Sequence, residues 1–386
     1  MNKLPNGWEE KRLDDLFKEF TEKNHADKNI LASTQDRGVI PSDLLDRHII
    51  RKKESLSNYK LVKKGCFVIS LRSFQGGFEY SNYEGIISPA YTILEPKMKL
   101  VDDFYKYYFK SYYFINKSLP KYAEGIRDGK QIKYKACKEI LVPYPPLDEQ
   151  KRIASALSKI DAYLENTIKL IEEKERFKRG IAKKLLTCKE GENIPEARFK
   201  GFEDEWETIM LGDILSYEQP KDYIVKSEEY NNKYKYPVLT AGKTFILGYT
   251  NEEFGIYNKL PVIIFDDFTT DAQYVDFPFK VKSSAIKILK SKYYNTKLIY
   301  ELIKNIKFNA RTHKRYYISE YQYLKIKIPK SIKEQEDISG YLSLLDAEID
   351  NLKKQKELIK EMKRGAMQKL LSGEVRLSKN AFNENI

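Results

Sequence analysis

No stretch of this 386-residue chain approaches the roughly 18 uninterrupted apolar residues that a membrane helix needs. The opening Met1-Asn2-Lys3-Leu4-Pro5 lacks the apolar core of a secretory signal, so a cytoplasmic protein with no membrane contact is expected. The three cysteines (Cys66, Cys137, Cys188) are odd in number, far apart and without metal-type spacing, and read as reduced structural thiols. The three histidines (His25, His48, His313) stand in separate contexts, again without ligand spacing. Catalytic signatures are missing too. Ala241-Gly242-Lys243-Thr244 has the ending of a phosphate-binding loop, but Pro237 stands where that loop needs glycine. There is no glycine-rich dinucleotide loop, and Tyr144-Pro145-Pro146 lacks the Asn- or Asp-led order of an amino-methyltransferase. Asp266-Asp267 has no nearby acid-x-lysine partner to complete a nuclease centre, and reads as a turn or strand-end cap. Neither a metal nor a cofactor is expected on this chain.

Positive charge is in excess, with a formal net of +13. Two windows account for it: residues 106–138 carry nine basic and two acidic groups, and residues 303–330 carry eight and one, a net of +7 each. Two separate basic patches suit a polyanion, whose phosphates Lys and Arg neutralise with counterion release. Aromatic residues are interleaved with the charge: Tyr105, Tyr107, Tyr108, Tyr112 and Tyr113 in one window, Tyr316, Tyr317, Tyr321 and Tyr323 in the other. That pattern tilts the reading from a solvated mixed surface towards nucleic acid, although many such tyrosines serve as core.

The chain also repeats itself. Leu147-Asp148-Glu149-Gln150 aligns with Ile332-Lys333-Glu334-Gln335 at an offset of 185, and the register holds without a gap for about ten helical turns. Within it Ile160-Asp161-Ala162 matches Leu345-Asp346-Ala347, Lys178-Arg179-Gly180 matches Lys363-Arg364-Gly365, and Lys184-Leu185-Leu186 matches Lys369-Leu370-Leu371. Looser matches lie upstream: Ile87 to Leu94 with Lys282 to Leu289, and Gly7-Trp8-Glu9 with Glu205-Trp206-Glu207. Apolar residues step by four and three, the seam of a coiled coil. The first seam runs Ile153, Leu157, Ile160, Leu164, Ile168, Ile171, Phe177, Ile181, Leu185; the second runs Ile338, Leu342, Leu345, Ile349, Leu352, Ile359, Met362, Ala366, Leu370. About 40 residues make a rod near 60 Å. Two such rods are expected to pair antiparallel, through Ile153, Leu157, Ile160 and Leu164 on one and Ile338, Leu342, Leu345 and Ile349 on the other.

The expected architecture is α+β: two similar globular domains separated by two long antiparallel coiled-coil helices. The boundaries read from the sequence are a first domain over 1–146, a helix over 147–187, a linker over 188–205, a second domain over 206–330, a helix over 331–373 and a tail over 374–386. The strand-like runs Cys66–Leu71 and Val262–Phe265 each follow a turn residue. The best candidates for DNA contact are two basic, turn-rich segments ahead of the helices. One holds Arg127, Lys130, Gln131 and Lys133; the other holds Arg311, His313, Lys314, Arg315 and Tyr316. Arg127 matches Arg311 and Lys130 matches Lys314 at an offset of 184. Polar loops after the strands add Arg72, Ser73 and Gln75 in the first domain, with Thr270 and Gln273 in the second; Lys243 completes the set. Arginine can grip a guanine edge with two bonds or sit on phosphate, while lysine more often meets phosphate.

These residues carry a family resemblance over nearly the whole chain. Gly7-Trp8-Glu9, the Pro-Pro-Leu-Asp-Glu-Gln of Pro145 to Gln150, the central Ile194 to Phe202 followed by Trp206, and Lys369-Leu370-Leu371-Ser372-Gly373 together resemble the specificity subunits of type I restriction–modification systems. The second helix departs from the pattern, with Pro-Lys-Ser-Ile-Lys-Glu-Gln (Pro329 to Gln335) in place of the double proline, which leaves its opening turn undetermined. The resemblance implies two target-recognition domains, each reading one half of a split double-stranded DNA site. It also implies two methyltransferase (M) subunits carrying S-adenosylmethionine and a restriction/translocase (R) subunit driven by ATP and Mg. Two other readings stay open: a self-contained DNA-modifying enzyme, and a coiled-coil DNA-binding scaffold without sequence preference.

Overall fold

A computed structural model describes the chain except residues 1–3, 46–52, 125–130, 243, 307, 309, 311–313 and 379–386. It divides into two compact units, one of residues 1–168 with 354–386, the other of residues 169–353. The boundary cuts across both long helices, so each unit owns the beginning of one and the end of the other.

In the first unit, strand β1 (Glu9–Arg12) pairs antiparallel with β6 (Leu141–Tyr144). Strands β2 (Phe17–Phe20), β3 (Phe67–Ile69), β4 (Glu79–Tyr80) and β5 (Thr92–Pro96) form an antiparallel sheet in the order β2-β5-β3-β4. Helix α1 (Asp102–Tyr108) brings Phe104, Tyr105, Tyr107 and Tyr108 into an aromatic core with Phe17, Phe67, Phe78, Phe109 and Phe114. Edge-to-face pairs such as Phe67–Phe109, 5.1 Å between centroids, set its geometry.

The second unit repeats the plan. Strand β7 (Glu207–Met210) pairs with β12 (Lys325–Ile328), and β8 (Leu215–Glu218), β9 (Val262–Asp266), β10 (Ala272–Val275) and β11 (Ile286–Ser291) lie in the order β8-β11-β9-β10. Helix α3 (Thr296–Asn305) occupies the place of α1, and its Asn295 cap accepts the Leu298 N–H. The loosely matching segments at Ile87 and Lys282 therefore lead into the corresponding strands β5 and β11.

The long helices are α2 (Leu147–Leu186) and α4 (Ile332–Leu371). In the second unit Lys178 pairs with Asp346 and Lys174 with Glu348, so rising numbers on α2 meet falling numbers on α4 and the pairing is antiparallel. In the first unit Ile153 and Leu157 share a core with Leu370 and Leu371, with Ile160 packed beside it; Leu164 is half-buried. In the second, Ile338 and Leu342 share one with Ala182, Leu185 and Leu186, and Leu345 and Ile349 are buried. The opening of each helix thus packs on its own globular core as well as on the other helix. The apolar stripe needs two corrections: Ile168, Phe177 and Met362 are exposed, and the buried position beside Phe177 belongs to Lys178. Lys178 lies close to both Asp346 and Glu301, and the equivalent Lys363 pairs with Asp161 at 2.5 Å. A seam position can hold a lysine when carboxylates meet it there.

The repeated Glu-Gln pair explains how each helix is fastened. Gln150 and Gln335 are fully buried. Gln150 accepts the Val101 N–H ahead of α1 and donates to the Pro145 carbonyl, both at 2.8 Å; Gln335 does the same with the Asn295 N–H and the Pro329 carbonyl. Each glutamine ties the start of a long helix to the start of the domain helix. Beside it, Arg198 grips Glu334 with two bonds of 2.7 and 2.8 Å, and the Trp206 indole N–H donates to the same carboxylate. Arg376 grips Glu149 in the same way. Burial alone would raise the Glu149 carboxyl, but the Arg376 guanidinium holds it below the ordinary carboxylate value. The opening turn of α4 is also resolved: Ser331 replaces the second proline and its Oγ accepts the Glu334 N–H at 3.4 Å, half of a capping box.

Replacing Gln335 by Ala strands a half-buried N–H and a buried carbonyl, and should cost the second unit about 2–4 kcal/mol. Denaturant unfolding in a Trp8→Phe background, followed by the fluorescence of Trp206, measures this, and a loss below about 1 kcal/mol would show that water replaces the amide.

Candidate nucleic-acid interface

Of the sequence-derived candidates, Arg127, Lys130, Lys243, Arg311 and His313 lie outside the described residues. The others fall into one cluster per unit.

In the first unit the chain leaves β3 through Ser70 and makes one helical turn, Ser73–Gly76, before entering β4. Arg72 and Gln75 are exposed on this turn. Ser73 is buried; its Oγ accepts the Ser70 N–H at 2.8 Å, so it shapes the turn and does not face DNA. Gly77 has φ +75°, and a Cβ there would sit 1.9 Å from the Phe109 carbonyl oxygen. Only glycine lets the loop pass so close to the segment after α1. Lys110 fastens the loop from behind, donating to the carbonyls of Gln35 and Gly76 and, at 2.5 Å, to the buried Glu79 carboxylate. Gln75 lines a groove of about 1160 Å³ together with Tyr112, Tyr113 and Lys117. Gln131 is half-buried in the short strand Gln131–Ile132, and exposed Lys133 is paired with Glu124 at 2.8 Å.

In the second unit the tight loop after β9 carries Thr270, at φ +62°, a left-handed conformation rare for a β-branched residue. Asp266 holds it, its Oδ1 accepting the N–H groups of Phe268 and Thr269 at 2.9 Å. Gln273 is half-buried on β10, opposite Ile264. Lys314 and Arg315 are exposed; Lys314 is ion-paired to Glu320, and the Arg315 guanidinium lies over the Phe268 ring, 5.8 Å from its centroid. Tyr316 is 2% exposed and packs against Phe308, so it belongs to the core. The same holds for most tyrosines of the basic windows. Tyr105, Tyr107, Tyr108, Tyr317 and Tyr321 are buried, leaving Tyr112, Tyr113 and Tyr323 with open faces.

The sequence reading overlooked the buried charges behind these loops. Asp267 and Lys287 are each 1% exposed, with Lys287 Nζ 3.5 Å from Asp267 Oδ2. Their signal was a lysine inside the apolar strand Ile286–Ser291 and a second aspartate after β9, both of which periodicity alone treats as noise. Among the described residues, no group of three or more His, Cys, Asp or Glu side chains is placed to hold a metal ion.

Each unit therefore presents one polar, partly basic surface built from loops on a repeated sheet, an arrangement suited to meeting a polyanion at two places. Comparison with known proteins specifies the class. The family model for the type I restriction modification DNA specificity domain matches twice, over residues 5–173 and 203–361, and the chain belongs to that family. The specificity subunit of type I restriction enzyme EcoR124I/EcoR124II from Escherichia coli is 46% identical over 180 residues, 42% of this chain and 44% of that protein. The MjaVIII specificity subunit of Methanocaldococcus jannaschii is 25% identical across 98% of this chain and 96% of its own length. Among solved structures, the type I S subunit from M. genitalium superposes with a TM-score of 0.62 at 18% identity, covering 96% of this chain and 97% of that one. The S subunit of Thermoanaerobacter tengcongensis gives 0.51 at 14%, covering 97% and 98%. At these identities the structural likeness speaks for the fold.

Burial pushes the Glu79 carboxyl up to about 7, against the pull of Lys110. The folded chain therefore holds this proton more tightly than the unfolded one, whose value is near 4.5. The resulting stability is complete below pH 4.5 and is lost as pH rises through 7. Stability of the first unit should fall less between pH 6 and 8 in Glu79→Gln than in the wild type. Parallel curves from denaturant titrations at the two pH values would contradict this.

Proposed function

We propose that the chain is the sequence-specificity subunit of a type I restriction–modification complex, reading a bipartite double-stranded DNA target with one unit per half-site. The observation that carries this is the mounting of two different loop sets on one repeated fixture. The sheet order and the buried Gln and Glu-Arg clamps recur, while the loops differ: Arg72 and Gln75 on a helical turn in one unit, Thr269 to Asp271 with Arg315 in the other. Different loop surfaces on a repeated mounting are what two related but unequal half-sites require, and a scaffold without sequence preference has no use for them. Exposed Arg72, Gln75 and Arg315 are the side chains with the chemistry to meet base edges, and Lys117, Lys133 and Lys314 to meet phosphate.

In this reading the chain carries no catalytic group. Methylation is done by two M subunits with S-adenosylmethionine, and cleavage by R subunits using ATP and Mg, in the cytoplasm. Two copies of one partner are favoured by the duplicated helices. Phe177 and Met362 are exposed at positions related by the repeat, so each unit offers an apolar contact of the same kind.

A map of methylated bases in the genome, with the gene intact and deleted, tests the role. Loss of one split motif, two short specified halves around a fixed gap, is the expected result; an unchanged map contradicts it. Arg72→Ala and Arg315→Ala should each weaken discrimination at one half-site, and at opposite halves, by about tenfold per lost base contact. If both variants changed the same half, the assignment of one half-site to each unit would fall.

A further inference from the structure

The two candidate segments of the second unit, the loop after β9 and the residues just before Tyr317, are more than 40 residues apart in sequence, yet one side chain joins them. Asp267 Oδ1 accepts the Tyr317 N–H at 2.8 Å, and the Asp267 carbonyl accepts the Tyr316 N–H at 2.8 Å. Its own N–H donates to the Ala285 carbonyl at 2.9 Å, ahead of β11. Its N–H, its carbonyl and one carboxylate oxygen are thus each committed to a neighbouring segment. The remaining carboxylate oxygen, Oδ2, has no hydrogen bond and faces Lys287, which lies over the Tyr217 ring. On the solvent side the link continues, because Arg315 rests on Phe268.

From this geometry we infer that Asp267 is the positioning residue of the second recognition surface. It locks the Phe268–Asp271 loop and the Lys314–Arg315 segment into one rigid head, so that Arg315 and the Thr269–Asp271 edge address the same base steps. The left-handed Thr270 fits this role. A strained loop conformation persists only where surrounding bonds over-determine it, and here Asp266 holds the loop from within while Asp267 holds it from behind. A reading head must present donors and acceptors at fixed spacing, since each good two-bond base contact discriminates only when both bonds form together. Lys287 Nζ, 3.5 Å from Asp267 Oδ2, supplies the opposite charge beside a carboxyl group at 1% exposure, and recognition asks nothing further of it. The acceptor oxygen does the positioning.

This inference rests on the reading of the chain as a specificity subunit, and the test separates the two. Genomic methylation is mapped in the native host carrying the wild-type gene, Asp267→Ala/Lys287→Met, Asp267→Asn/Lys287→Met, or Phe268→Ala. Both double variants remove the buried charges together, so neither leaves an unpaired ion. The Asn variant keeps an Oδ1 acceptor for the Tyr317 N–H; the Ala variant does not. The wild type should show a split motif. The Ala variant should relax one half about tenfold while the other half stays fully specified, and the Asn variant should restore it. Phe268→Ala, which leaves the buried lock intact, should relax the same half through loss of the Arg315 contact alone; if the Ala variant fails to accumulate, Asp267→Leu/Lys287→Met, which refills the site without an acceptor, decides in its place. A wild type without any split motif would refute the parent reading. A split motif unchanged in the variant without an acceptor, or unrestored in the Asn variant, would refute the positioning role.

Discussion

A buried glutamine on the first turn of each long helix is the constraint on which the rest depends. A carboxamide with no access to water must place both its oxygen and its nitrogen, and Gln150 and Gln335 can do so only if three segments meet: the strand-to-helix corner, the long helix and the start of the domain helix. The neighbouring glutamate, held by Arg376 in one unit and Arg198 in the other, fixes the helix against a chain segment from outside the domain. With the corner fixed, the sheet has one way to sit on the helix pair. The loops on that sheet are then free to vary without loosening the mounting.

The helix pairs obey the same logic. Lys178 with Asp346 and Lys363 with Asp161 place a charge at seam positions where an aliphatic residue would pack as well or better. What such ion pairs add is register, because a shift of one residue along the helix would strand the lysine against apolar neighbours. A helix pair that carries recognition surfaces gains more from an exact register than from a little extra stability.

The helices, their repeat and the resemblance were legible because they rest on long periodic patterns, which hold register over many residues. The seam was misread where the pattern used only apolar letters: Phe177 is outside, and Lys178 is inside because Asp346 and Glu301 await it. The role of Glu149-Gln150 was visible only as a repeat, since nothing local tells a buried amide from a solvated one. The tyrosines show the opposite limit. Aromatic residues interleaved with lysines suggested base stacking, yet α1 turns Tyr105 and Tyr108 into the core, and only Tyr112 and Tyr113 beyond it stay open. Ser73 and Tyr316 lie in the candidate loops but on their buried side. The side of a loop is set by tertiary bonds such as that of Asp267 with Tyr317, which no spacing rule encodes.

On the proposed function, each unit reads DNA with the loop surface mounted on its own sheet. Hydrogen–deuterium exchange of the full chain, bound to the proposed methyltransferase subunits, with and without a duplex that contains the mapped split motif, tests this. DNA-dependent slowing is expected in both units, at the turn around Arg72–Gln75 and the Tyr112–Lys117 segment in one, and at Phe268–Asp271 with Lys314–Arg315 in the other. Slowing confined to one unit, or to the long helices alone, would contradict it.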